Sequence, residues 1–238
     1  MHDSIKISFT TLYLLPCRGG YLIVDTSYEN RYEEFTRKLE SKGIALSEIK
    51  YLFLTHHHDD HSGFAEELRA ANGQLTLITH EKSLVALKSG KPDPDDRPLN
   101  RRVGFFIFLF NNLLKEKQDW SFPPVQVLQS DCVVRADNFD FLPSIGIDGK
   151  ILHTPGHSHD SMSIILADGS AFVGDLAMDL LNFCGCRKRP IYITDLNEVY
   201  QSWNKIIEYG ARMIYSSHAS KPFGVDEIVK TMKRFGVY

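Results

Sequence analysis

Thr55-His56-His57-His58-Asp59-Asp60-His61-Ser62-Gly63 is the stretch that decides the fold, through what precedes it and through the spacing of its donor side chains. Residues 51–54, Tyr-Leu-Phe-Leu, form a short apolar and aromatic run of strand length. In extended backbone alternate side chains share a face, so His56 and His58 project to the same side and can meet one metal ion. Asp60 and His61 follow where the chain turns into a helix and can meet a second. A lone histidine is usually a surface or core residue. Four donors at this spacing, at the end of an apolar strand, are instead a metal-binding pattern. His57 and Asp59 alternate with them, point away, and read as orienting or structural residues.

Working outward, residues 5–15 and 21–24 carry strand patterns. Between 24 and 51 the apolar positions Tyr32, Phe35 and Leu39 recur at helical steps, with a stop near Gly43. After the motif the pattern predicts a helix over 63–71, a strand over 75–79 and a short helix over 81–88. Strand candidates follow at 125–128, 132–134, 139–142, 150–153, 161–166 and 171–173. The closing third reads as helix 196–209, strand 213–215 and helix 225–235. Many strands with helices at both ends of the order predict two sheets with helices outside them, in one domain over 1–238.

Residues 91–124 stand apart as a helical insertion. The segment opens with Pro92, Asp93, Pro94, Asp95 and Asp96 and closes at Pro123-Pro124. Within it Val103, Phe105, Phe106, Ile107, Phe108, Leu109 and Phe110 leave no polar face, so a helix here is expected to bury its whole circumference. Three arrangements would do that: a cover over the metal cleft with an apolar wall for substrate, packing on the protein's own body or across a homodimer interface through 103–110, or contact with a membrane surface. Arg101, Arg102, Lys115 and Lys117 flank the run.

The 238 residues are 43% hydrophobic and 24% charged, an ordinary globular composition. A net charge of −3 and a pI near 6.4 give no basic surface for nucleic acid and favour a small-molecule substrate. The first six residues, Met1 to Lys6, lack the pattern of a secretory signal, so a cytoplasmic location is expected. The 103–110 run falls short of the roughly 20 residues that cross a bilayer, so stable membrane insertion is not expected. Cys17, Cys132, Cys184 and Cys186 are too few and scattered for a disulfide framework, and Cys184-Gly185-Cys186 reads as plain loop cysteines.

The motif His56-x-His58-x-Asp60-His61 closely resembles the signature of the metallo-β-lactamase superfamily. Downstream, Thr154-Pro155-Gly156-His157, Gly174-Asp175 and His218 in Ser216-Ser217-His218 resemble its further ligand motifs, and Val24-Asp25-Thr26 its early strand-end aspartate. The resemblance, which runs from about Asp25 to His218, implies an α/β fold, the αββα four-layer sandwich, with metal ions in a cleft at one edge of the two sheets. It implies that His56, His58 and His157 bind a first ion, that Asp60, His61 and His218 bind a second, and that Asp175 bridges both. The implied cofactors are two divalent ions, zinc first, with iron or manganese as alternatives.

The implied chemistry is hydrolysis. A hydroxide bridging the two ions attacks an ester, thioester, lactone or similar bond of a small, partly apolar substrate, with Asp60 and Asp175 as catalytic residues and no serine or cysteine nucleophile. Among the branches, true β-lactamases use a cysteine at the second site or lack the bridging aspartate, and the flavin-associated di-iron branch has a carboxylate where this chain has His58. Lactonases match all seven ligands but carry a tyrosine where Met178 stands. Glyoxalase II-type thioester hydrolases share the ligand set yet add a glutathione-binding helical region, whereas residues 219–238 suffice for one helix. A mononuclear iron persulfide dioxygenase and a non-catalytic metal-binding module are the alternatives to hydrolysis. Beyond the ligands, His159 beside Asp160 and Ser161 faces either the cleft or solvent. Arg187-Lys188-Arg189 either hold an anionic substrate group or form a solvated loop, and His80 and His153 have no identifiable partner.

Overall fold

The computed structural model describes residues 2–92, 94–114 and 120–237. Asp93, Lys115 and Lys117 of the insertion lie outside the described residues. One sheet runs β1 (Asp3–Ile7), β2 (Thr10–Cys17), β3 (Gly20–Val24), β4 (Ile49–Phe53), β5 (Thr76–His80) and β6 (Cys132–Val134) in spatial order, antiparallel up to β3 and parallel from there on. The second comprises β7 (Gly149–His153), β8 (Met162–Leu166), β9 (Ser170–Gly174), β10 (Met213–Ser216) and β11 (Phe223–Gly224), stacked in the reverse of chain order.

Successive side chains of a strand point to opposite faces, and here both faces are apolar. Leu15, Leu22, Val24 and Phe53 of the first sheet meet Ile151, Ile164 and Phe172 of the second in a central core. Leu14, Ile23, Leu52 and Leu77 point outward instead. They pack against Phe35 and Leu39 of α1 (Tyr32–Ser41) and, beyond the short α2 (Asp59–Ser62), against Leu68 of α3 (Ala65–Ala71) and Leu87 of α4 (Leu84–Ser89). Between those helices and the second sheet the chain forms α5 (Arg101–Leu114) and α6 (Phe141–Ser144). On the far side Ile165, Ala171, Val173 and Ile214 are covered by Val199, Trp203 and Ile206 of α7 (Leu196–Glu208) and by Ile228 and Met232 of α8 (Val225–Arg234). Three cores between four layers make the αββα sandwich.

Three local expectations are corrected. The strand expected over 5–15 is a hairpin, because Ser8 takes a left-handed backbone (φ 54°) and Ile7 pairs with Thr10 across a two-residue turn. Residues 139–142 are not a strand: Asn138 Oδ1 accepts from the backbone N–H groups of Asp140 and Phe141, and α6 starts there. Residues 125–128 form no ladder, since the Val125 N–H donates to Leu87 O and the Leu128 N–H to the Asp131 carboxylate.

Within the single chain the apolar helix α5 buries one side only. Asn100 caps it by accepting from the N–H groups of Arg102 and Val103. Val103 is 0% exposed and packs on Cys184 and Cys186, with Phe106 and Ile107 beside it. Phe105, Phe108 and Leu109, on the other side, are 68%, 65% and 53% exposed. Fourteen residues over a loop have only one side to bury, and the sequence continues apolar round the other. No helix among the described residues is long and apolar enough to cross a membrane.

Candidate metal centre

The seven proposed ligands leave the sandwich from the C-terminal ends of β4, β7, β9 and β10 and converge at one edge. Close backbone approach is what lets them do so. A Cβ on Gly174, whose φ is +53°, would lie 2.3 Å from Thr55 Oγ1, so only glycine lets the end of β9 abut the end of β4. A Cβ on Gly63 would lie 2.4 Å from both Asp59 O and Glu29 N. That glycine closes the turn into which Ser62 Oγ also donates, to the carbonyls of His57 and His58.

His56 Nε2, His58 Nδ1 and His157 Nε2 form a triangle with all three edges 3.1 Å. His61 Nε2 stands 3.3 Å from Asp175 Oδ1 and 3.6 Å from Asp60 Oδ1, while His218 Nε2 is 2.9 Å from Asp60 Oδ2 and 3.4 Å from Asp175 Oδ2. Asp175 Oδ2 also approaches His157 Nε2 at 3.7 Å, so this carboxylate touches both groups of histidines. Three donor sets can each hold an ion: His56, His58 and His157; His56, His61 and Asp175; Asp60, His61 and His218.

The donor chemistry fits metal ions, because every histidine has its other ring nitrogen tied to an oxygen. His61 Nδ1 lies 2.8 Å from Asp25 Oδ2, His157 Nδ1 2.9 Å from Tyr192 O, His218 Nδ1 2.9 Å from Phe9 O, and His58 Nε2 2.7 Å from Asp96 Oδ2. Thr55 gives its hydroxyl hydrogen to Asp25 Oδ2 and therefore accepts from His56 Nδ1, 3.0 Å away. With each outward nitrogen donating, each ring in its neutral form carries its lone pair on the inward nitrogen, toward the cluster. Three lone pairs at 3.1 Å repel one another unless a cation sits among them, and Zn–N bonds of about 2.0–2.1 Å imply a similar N–N spacing, about 3.3 Å in a tetrahedron. His61 Nε2 and Asp175 Oδ1 are buried with no hydrogen-bond partner, as atoms reserved for an ion would be.

The electrostatics of the metal-free cluster follow from the same arrangement. Burial lowers the basicity of His56, and the neighbouring histidines lower it further. At His218 burial acts the same way but is outweighed by Asp175 and Asp60, which push it up to about 9. His61 is raised well above the ordinary value, as the carboxylates Asp60, Asp175 and Asp25 overcome burial. Asp60 is held down at about 2: burial opposes, and the charge of His61 and the hydrogen bond from His218 prevail. Burial and the charge of Asp60 push Asp59 up to about 7.

The cluster floors a cavity of about 600 Å³. Its walls come from Phe9, Tyr28, Met178, Leu181 and Tyr192, from Trp120, and from Phe106, Ile107 and Phe110 of α5. Asp59, expected to point away, lines this cavity; His57 is buried against Asp160 at 3.0 Å. His159 does not line it, and lies 3.7 Å from the exposed Asp95. None of the three adjacent cations reaches the cavity either. Arg189 donates inward to Cys186 O, Gly185 O and Tyr200 and stacks on Phe235, Lys188 pairs with Asp179, and Arg187 is exposed. His80 and His153 are partners after all, stacked at 4.2 Å. The four cysteines are free. Asp96 was missed because it sits in a proline- and aspartate-rich run that reads as punctuation. Asp160 likewise carries no sequence signal that pairs it with His57.

Known proteins agree with this architecture. A lactamase-like protein of Pestalotiopsis microspora is 26% identical over 212 residues, covering 88% of this chain and 49% of its own length, so the chain spans about half of that relative. A metallo-β-lactamase fold-containing protein of Sulfurisphaera tokodaii is 24% identical over 237 residues, 92% of this chain and 85% of that one. The crystal structure of a metallo-β-lactamase family protein from Thermus thermophilus superposes with a TM-score of 0.67 at 19% identity, covering 99% of this chain and 78% of the other. The sequence profile of the metallo-β-lactamase superfamily matches residues 8–218, and the chain belongs to that superfamily.

Proposed function

We propose that the protein is a metal-dependent hydrolase that holds two divalent ions, zinc by preference, and cleaves an ester, thioester or lactone bond of a small, uncharged substrate with an apolar acyl part. One observation supports this reading: a cluster of His and Asp donors that could hold metal forms the floor of an apolar cavity of about 600 Å³ with no Lys or Arg among its described lining residues. The ions, when bound, supply Lewis-acid polarisation of the scissile carbonyl and acidify the attacking water.

The chain's own residues do the rest. Asp175 offsets charge on both sides of the cluster, and Asp60 Oδ2, 2.9 Å from His218 Nε2, is placed to relay a proton at the cavity floor. Phe106, Ile107, Phe110 and Trp120 give the acyl part of the substrate an apolar wall. Four lining carboxylates, Asp59, Asp60, Asp96 and Asp175, already oppose the charge of two divalent ions. A substrate phosphate or carboxylate finds no counter-ion beyond the metals, which disfavours phosphodiesters and β-lactams.

The test is a substrate series. Zinc-loaded protein assayed with neutral esters, thioesters and lactones of graded acyl length, beside a phosphodiester and a β-lactam, should prefer the neutral acyl compounds. Its kcat/KM should rise about fourfold per methylene while the chain fills the cavity, as about 0.8 kcal/mol per buried CH2 requires. Preference for the phosphodiester, or no dependence on acyl length, would refute the reading.

A further inference from the structure

The remaining outward nitrogen of the three-histidine triangle leads away from the sandwich. Four of the five cluster histidines are oriented by atoms of the sandwich or the loops at its edge, but His58 is held by Asp96, from the segment that carries α5. Asp96 Oδ2 takes the His58 Nε2–H at 2.7 Å, the shortest of the five orienting contacts, and its Oδ1 is buried without a partner. One residue further on, Arg97 and Pro98 pair with Ile193 and Tyr192 in a two-stranded ladder, extended by a hydrogen bond from the Leu99 N–H to Ile191 O. Tyr192 supplies the carbonyl that orients His157. Two corners of the triangle are therefore oriented from this ladder, His58 through Asp96 and His157 through Tyr192. The ladder leads through Asn100, the cap of α5, directly into the helix that walls the cavity.

We propose that Asp96 is a positioning residue that latches the α5 segment onto the metal centre, so that ion binding at His56, His58 and His157 and docking of α5 over the cavity stabilise each other. This rests on the metal-binding reading above. An ion on Nδ1 of His58 requires the proton on Nε2, and an acceptor carboxylate there favours that tautomer and strengthens the nitrogen as a donor. Asp96 can do this only while its segment is docked. By linkage, whatever the docked segment adds to ion affinity, the ion returns to docking.

The experiment compares wild type, Asp96→Asn and Asp96→Ala as full chains, with zinc as the probe. Zinc affinity is read by competition with a chromogenic chelator, and backbone hydrogen exchange of residues 97–114 is followed with and without zinc. The wild type should take up zinc and gain protection over 97–114. One zinc of Asp96→Ala should weaken about 10- to 100-fold, with Asp96→Asn intermediate because its amide oxygen still accepts without charge. Zinc should no longer protect α5 in Asp96→Ala and should protect it less than in wild type in Asp96→Asn, while both metal-free variants keep the far-ultraviolet circular dichroism of the wild-type fold. Unchanged zinc affinity in both variants, or wild-type α5 exchange indifferent to zinc, overturns the latch and leaves metal binding intact. A wild type that takes up no zinc overturns the metal reading itself, and the latch with it.

Discussion

Replacing Asp25 by Asn changes one oxygen into an amide nitrogen, and its effect can be worked out contact by contact. Asp25 is fully buried and sits at a left-handed φ of 62°, which Asn tolerates. Its Oδ1 accepts from the Thr55 N–H at 2.7 Å; its Oδ2 accepts from Thr55 Oγ1 at 2.8 Å, His61 Nδ1 at 2.8 Å and Ser217 Oγ at 3.2 Å. If the Asn oxygen keeps the Thr55 N–H, its NH2 faces the other three. The two hydroxyls can rotate and accept. His61 can accept at Nδ1 only by moving its proton to Nε2, the nitrogen that faces Asp60 and Asp175. Rotation of Thr55 also removes the acceptor for His56 Nδ1. One aspartate therefore sets the tautomers of two histidines.

The loss of a charge-assisted hydrogen bond sets the stability cost at about 1.5–3 kcal/mol, and the tautomer change weakens metal affinity about 10- to 100-fold. Urea unfolding of the metal-free protein measures the first, and chelator competition the second. Asp25→Asn protein that binds zinc within about twofold of wild type would refute the reasoning.

Further outcomes follow from the same geometry. Phe106→Ser removes a cavity wall and should flatten the dependence of kcat/KM on acyl length, whereas Phe108→Ser, on the exposed side of α5, should leave it intact; equal effects would exclude α5 as a wall. Asp175→Asn should lose metal and nearly all turnover because it touches both donor groups, while His57→Ala, whose ring is buried against Asp160, should do much less; elemental analysis and a rate assay decide. In metal-free protein the raised basicity of His218 contributes stability that is fully present below about pH 6.5 and lost as pH rises through about 9, with His61 acting in the same direction. Thermal melts of chelated protein should therefore fall across that window, and His218→Ala should flatten the fall; a wild-type stability that rises from pH 6.5 to 9 would contradict the assignment.

Much of this architecture was legible because it depends on local pattern. The largely apolar runs 21–24, 51–54 and 161–166 mark strands that the fold covers on both faces, and His56 and His58 share a face by strand geometry alone. What the pattern hid depends on distant partners. The α5 run looks the same all round, and only the loop carrying Cys184 and Cys186 decides that Val103 is buried while Phe105 is not. Arg187, Lys188 and Arg189 read as either an anion site or a solvated loop until the fold turns Arg189 inward. Asp96 orients a histidine 38 positions away through a loop with no periodicity to reveal it. Likewise 125–128 is apolar enough for a strand, but its backbone donors are taken by Leu87 and Asp131.

The central claim is that His56, His58, Asp60, His61, His157, Asp175 and His218 hold two divalent ions, and metal content tests it most directly. Protein prepared without chelators and analysed by plasma mass spectrometry should carry about two divalent ions per chain, zinc predominating, falling to about one or none in Asp175→Asn. A single iron per chain would contradict the two-ion account in favour of dioxygenase chemistry. No bound metal, even after supplementation with zinc, manganese or iron, would contradict the claim altogether.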